Sequence, residues 1–95
     1  MTRESYAFRR FRVQADEEPD AETITATMQC AVCGQTGPTV EATKERTPEA
    51  QGKAALEAQK VAASWVETHQ KDEREHFTFR LMVGLPYRLV PGEWQ

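Results

Sequence analysis

Four side chains in this sequence are of the types that hold a first-row metal ion: Cys30, Cys33, His69 and His76. Between them they use both cysteines and both histidines of the chain. Zinc takes thiolate and imidazole ligands in a tetrahedron, and two cysteines separated by two residues can bind one ion from a tight turn. The run is Cys30-Ala31-Val32-Cys33-Gly34. A glycine after the second cysteine allows a positive φ, which lets backbone N–H groups turn toward the sulfurs. Read alone, the cysteines also suit a small buried pair or a redox pair. Redox pairs sit where a strand enters a helix, so that the helix dipole lowers the thiol pKa. Here the next helix start signal comes 14 residues later, at Thr47, which favours metal. The spacing departs from a DNA-reading finger of the two-cysteine, two-histidine kind. The gap from Cys33 to His69 far exceeds the ~12 residues usual there, and the histidines are also further apart than usual.

These residues need elements that bring them together. Tyr6 to Ala15 is rich in aromatic and β-branched residues. Its alternation changes phase at Arg9–Arg10, which predicts a strand with a bulge. The acidic run Asp16 to Glu22 reads as a solvated loop. From Glu22 to Cys30, Ile24, Ala26, Met28 and Cys30 alternate with threonines and Gln29, the pattern of a half-buried strand. The expectation is an antiparallel hairpin between these two strands. Thr47-Pro48-Glu49 supplies a hydroxyl cap, a proline at the first helical position and an acid in the first turn. The helix is expected from Pro48 to about His69 or Gln70. Ala54, Ala58, Val61, Trp65 and His69 form one stripe, with Trp65 as a core residue. His76 to Met82 returns to alternation, with Phe77, Phe79 and Leu81 inward. Tyr87 to Val90 suits a last short strand. The expected fold is α+β: a small antiparallel sheet of three or four strands with one helix on it, in the order ββαβ(β), zinc-finger-like, with residues 1–95 as a single zinc-stapled domain.

The order Cys30-x-x-Cys33-Gly34, Trp65-x-x-x-His69, His76 with phenylalanine after it, and Tyr87-Arg88-Leu89 before Pro91 resembles a family of small uncharacterised proteins of actinobacteria and their phages. The resemblance runs from about Tyr6 to Trp94. It implies the site and the fold, and no particular activity.

The bulk composition narrows the function. At 95 residues, with 39% hydrophobic and 28% charged residues, the chain suits a small globular domain whose core needs a staple. No apolar run approaches the ~20 residues of a membrane span. The first residues have no apolar core or small-residue cleavage site, which predicts a cytoplasmic location. A net charge of −3 argues against coating nucleic acid non-specifically. No carboxylate base is placed convincingly beside the ligands, and four protein ligands close a zinc site to water, so the expectation is no enzyme. The chain reads as a structural-zinc module with a protein partner. A second reading is a nucleic-acid accessory protein, and a weaker third is a thiol redox protein. The nucleic-acid reading rests on alternation. If Phe77, Phe79 and Leu81 face the helix, Arg80 faces out. Arg88 would join it, and Arg10 or Arg12 depending on the bulge, with Thr23, Thr25 and Thr27 on a basic outer sheet face.

Overall fold

A computed structural model describes residues 11–91 of the chain. Its architecture is α+β, as the alternation and the helix signal predict, with two antiparallel sheets and one bent helix. The strands are β1 (Phe11–Ala15), β2 (Thr25–Cys30), β3 (Val40–Glu41), β4 (Phe79–Gly84) and β5 (Tyr87–Pro91). The helix has two segments, α1 (Pro48–Ala63) and α2 (Trp65–Asp72). Contacts divide the described residues into two compact units: 11–22 with 86–91, and Thr23–Leu85.

In the larger unit the sheet order is β3-β2-β4. The predicted hairpin between the first two strands does not form: β2 pairs with β3 and β4, and β1 pairs with β5. The chain leaving β2 turns at the two cysteines and folds straight back. Cys30 N–H donates to Gln35 O, Gly37 N–H to Met28 O, and Ala42 N–H to Ile24 O. This local return closes a short loop, which costs little chain entropy, and it occupies the edge that the first strand was expected to take. Gln29 lies opposite Thr36 and Ala26 opposite Val40. Three steps along β2 thus match four along the returning segment. The extra residue makes a bulge beside Pro38, which has no N–H for a ladder.

Alternation in β2 follows the sequence, whereas burial in β4 does not alternate: Phe79 is half-buried and Leu81, expected inward, is 39% exposed. Ala26, Met28 and Cys30 are buried and stand opposite Val83, Leu81 and Phe79 of β4. Thr27, Gln29, Arg80 and Met82 fall on the other face, where the Thr27 and Thr39 hydroxyls bond at 2.8 Å. Phe77 breaks the expectation. β4 starts only at Phe79, and Phe77 is 74% exposed in the preceding turn.

α1 begins as its sequence dictates. Thr47 Oγ1 accepts from Ala50 N–H at 3.1 Å, and Pro48 fills the first helical position. Replacing Thr47 by alanine orphans that donor. The expected loss is about 1 kcal/mol, or a fall in melting temperature of about 4–8 °C for a domain this size. A melt followed by far-ultraviolet circular dichroism measures it, and an unchanged midpoint would show that water replaces the cap.

The continuous helix expected to His69 or Gln70 is instead broken at Ser64 and runs on to Asp72. The Ser64 hydroxyl donates to Val61 O at 2.6 Å, a side-chain bond to a helix carbonyl of the kind that bends helices. The helix covers the sheet with alanine. Ala26, Ala42, Ala58 and Ala62 form the core cluster, and Ile24, Val40 and Ala54 flank it. Methyl groups bury little area, at about 25 cal/mol per Å², so this core supplies a small part of what a domain needs.

The smaller unit is the β1–β5 ribbon. Its register runs from Phe11 opposite Pro91 to Ala15 opposite Tyr87. Arg88 was expected to point outward between Tyr87 and Leu89, and the structure reverses that. Tyr87 and Leu89 are exposed, while Arg88 Nε lies 2.6 Å from Asp16 and its Nη2 donates to Asp20 at 2.8 Å. The acidic run is therefore only partly a solvated loop. Asp16 is nearly buried and draws Arg88 to its side of the ribbon. The two carboxylates, Asp16 first, raise the Arg88 pKa. Arg12 lies on this two-stranded sheet and Arg80 on the three-stranded one, so these arginines do not share the single continuous sheet that was expected. Arg10, Tyr6, Phe8 and Trp94 lie outside the described residues.

Candidate metal centre

Cys30 is the last residue of β2 and is fully buried. The turn after it is closed by Gly34 N–H donating to Cys30 O at 2.8 Å, with Gly34 at φ 83°. The positive φ is the one the glycine predicts. Cys33, on the rim of the turn, is exposed. Burial works to raise the Cys30 thiol pKa. The backbone N–H groups of Cys33 and Val32, with the Cys33 side chain, outweigh it and hold the thiol below its ordinary value. The turn thus favours the thiolate, the form that binds metal.

His69 sits in α2 and is the buried polar residue of the helix end, 5% exposed. Its ring stacks on Trp65, one turn earlier, with centroids 4.6 Å apart and planes at 22°. Phe79 meets both rings edge-on, at 5.9 Å from His69 and 6.2 Å from Trp65. Because Phe79 lies opposite Cys30 in the sheet, the aromatic group is built directly under the cysteine turn. Beneath Trp65 lies Gly37, where a Cβ would come within 2.5 Å of the indole Cγ. The chain therefore needs a hydrogen at that position for the ring to lie where it does.

His76 comes from the turn between α2 and β4. That turn is held by Glu73 N–H to His69 O, His76 N–H to Glu73 O, and Gln70 Nε2 to His76 O. His76 Nε2 lies 3.8 Å from a Glu73 carboxylate oxygen. This leaves Nδ1 for the centre, with the carboxylate placed to orient the other ring nitrogen.

The four side chains meet. Cys30 Sγ lies 3.4 Å from His76 Nδ1, Cys33 Sγ lies 3.5 Å from His69 Nε2, and the two ring nitrogens are 3.2 Å apart. All four donor atoms lie within 4.8 Å of one another. This is a set that could hold one metal ion, and all its members come from the larger unit. Every residue singled out for metal in the sequence is in it.

The sequence model of a domain family of unknown function, DUF7848, matches residues 1–94. The chain belongs to the DUF7848 family. No curated protein and no solved structure matches it. In this DUF7848 domain the supporting residues are harder to read than the candidate donors. Gly37, Phe79, Gln70 and Glu73 position the donors, yet each looks ordinary in sequence. Gly37-Pro38 reads only as a breaker and Phe79 only as an alternating strand residue. Among the described residues, no helix is long and apolar enough to cross a membrane.

Proposed function

We propose that this DUF7848 domain is a non-catalytic zinc module acting as an adaptor for a protein partner, with Cys30, Cys33, His69 and His76 as the ligands of one structural zinc. The observation that carries the metal is the spacing of the donors. Tetrahedral zinc with nitrogen at about 2.0–2.1 Å and sulfur at about 2.3 Å separates two nitrogens by ~3.3 Å and nitrogen from sulfur by ~3.5 Å. The corresponding distances here are 3.2 Å and 3.4–3.5 Å. Four protein donors fill the tetrahedron and leave no position for a reacting water, which supports a structural role over a catalytic one. The redox reading finds less support, since the thiols sit on a hairpin turn with two imidazoles against them. The nucleic-acid reading loses a cation, because Arg88 is committed to Asp16 and Asp20. Thiolates kept for metal suit a reducing compartment such as the cytoplasm.

Metal analysis with X-ray absorption on purified protein tests the centre. The expected result is one zinc per chain with two sulfur and two nitrogen neighbours. A folded, metal-free chain carrying a Cys30–Cys33 disulfide would return the site to redox chemistry.

A further inference from the structure

The larger unit has a second feature, remote in function from the ligands: a groove of about 480 Å³ between α1 and β3. Its floor comes from Ala54, Ala58 and Val61 of the helix and from Val40 and Ala42 of the sheet. None of the four metal donors lines it. Ala54, Ala58 and Val61 recur at helical spacing on one side, and small residues face them on the other. Neither wall carries a side chain large enough to fill the gap, and Val61 is left 48% exposed.

The sheet side of the groove is an edge. Ala42 N–H donates to Ile24 O, and Ala26 pairs with Val40 and Thr25 with Glu41. Antiparallel pairs alternate between hydrogen-bonded and not, so Ala42 and Val40 spend their main-chain groups on β2. Glu41, between them, aims its N–H and C=O away from β2, toward the open edge. The close Thr27–Thr39 hydroxyl contact fits the same alternation, since non-hydrogen-bonded pairs bring side chains closer. Further along, the edge is capped: Gln51 donates to Thr43 O and accepts from Glu45 N–H. The available edge is therefore short and centred on Glu41.

Charge decides what fits. Glu41, Glu45 and Glu57 line the groove against a single cation, Lys53. An anionic polymer would be repelled from this rim, and an acidic peptide likewise. A chain with aliphatic side chains for the alanine floor and cationic ones for the rim complements both. Adding a strand to an exposed edge uses main-chain bonds for affinity and alternate side chains for specificity.

We propose that this groove docks an extended segment of a protein partner, alternating aliphatic with lysine or arginine residues, as an added strand on β3 at Glu41. The proposal takes from the adaptor reading only that a partner exists, and it is independent of which metal the centre holds. The metal content of the sample is therefore measured alongside binding, so that the two can fail separately.

The probe is a fluorescein-labelled heptapeptide alternating Lys or Arg with Val or Ile, titrated by anisotropy into the metal-loaded full chain. Saturable binding is expected, with the Glu41 amide newly protected from hydrogen exchange. Glu45→Lys with Glu57→Lys should weaken binding about tenfold or more, through lost complementarity. Ala54→Leu, which fills the floor, should weaken it comparably. Far-ultraviolet spectra of the variants establish that they remain folded. The charge reversals lie on the exposed rim and keep the test sharp if the leucine variant does not fold. Absence of binding overturns the proposal, as does equal affinity in the reversed variant. A backbone N-methylated peptide that binds equally well removes the added strand. Concentration-dependent Glu41 protection without peptide assigns the groove to a second copy of this chain and overturns it too.

Discussion

Stripping the metal from Cys30, Cys33, His69 and His76 is expected to unfold the larger unit rather than merely loosen its turn. The reason lies in the core. Four of its six buried apolar residues are alanines, and Cys30 is the largest side chain that is fully buried. A native domain is stable by only about 5–15 kcal/mol, while structural zinc in finger peptides contributes an apparent 10–16 kcal/mol or so at neutral pH. With so little area buried elsewhere, a bound ion would outweigh the core in holding this unit folded. A strong chelator, or Cys33→Ser, should abolish the near-ultraviolet signal of Trp65 and collapse the spread of amide resonances from Thr23 to Leu85. His76→Ala should do less harm, since water can take a vacated imidazole position whereas a lost thiolate removes charge as well as a ligand. A chelated protein that keeps its melting temperature would show that the alanine core suffices and that zinc is incidental to folding.

The cluster of candidate donors was legible in the sequence because its chemistry is tied to residue type. Cysteine and histidine are scarce here, and four of them in a metal-compatible order admit few other readings. The α+β class was legible for a similar reason: β2 alternates strictly over its length, and Thr47-Pro48-Glu49 marks a helix start by local bonds alone. What failed was pairing. Nothing local says whether β2 returns through its own cysteine turn or pairs with the strand before it, because that choice rests on loop length and on a bulge at Pro38. The acidic run and Arg88 show the same limit. Each looks solvated on its own, and only the β1–β5 register brings Arg88 onto Asp16. The bend at Ser64 depends on one hydroxyl choosing the Val61 carbonyl, a preference too weak to read against a long helical stripe. Phe77 faces outward because the strand begins at Phe79, three residues later than expected, which leaves a hydrophobic residue in the connection before it.

Gly37→Ala is expected to damage the metal centre although Gly37 binds nothing. A Cβ at that position would lie 2.5 Å from Trp65 Cγ, 2.8 Å from Cδ2 and 2.9 Å from Cβ, and an indole held at its own Cβ cannot swing clear as the far end of a lysine could. Trp65 must therefore shift, or the returning segment from Thr36 must back away from α2. Either movement reaches His69, because the imidazole stacks on Trp65 at 4.6 Å and its Nε2 is 3.5 Å from Cys33 Sγ. Overpacking of this kind costs typically about 1–3 kcal/mol, which for a domain of this size is a drop of about 4–8 °C in melting temperature per kcal/mol. Metal affinity should fall as well, by about tenfold for each 1.4 kcal/mol lost from the centre, measured by competition with a chromophoric chelator. Gly52→Ala is the matched control. It sits inside α1 with nothing within 4 Å of its added methyl, so it should raise stability by roughly 0.5–1 kcal/mol through helix propensity and leave metal affinity unchanged. Combining Gly37→Ala with Trp65→Ala separates the mechanism. If the clash with the indole is the cause, the pair should be less damaging than the sum of the two, because the second change removes the two nearest atoms, Cγ and Cδ2, and leaves only the Cβ contact at 2.9 Å. Additive losses would mean that Gly37 acts through the backbone of the returning strand, and that the indole is not the link between that strand and His69.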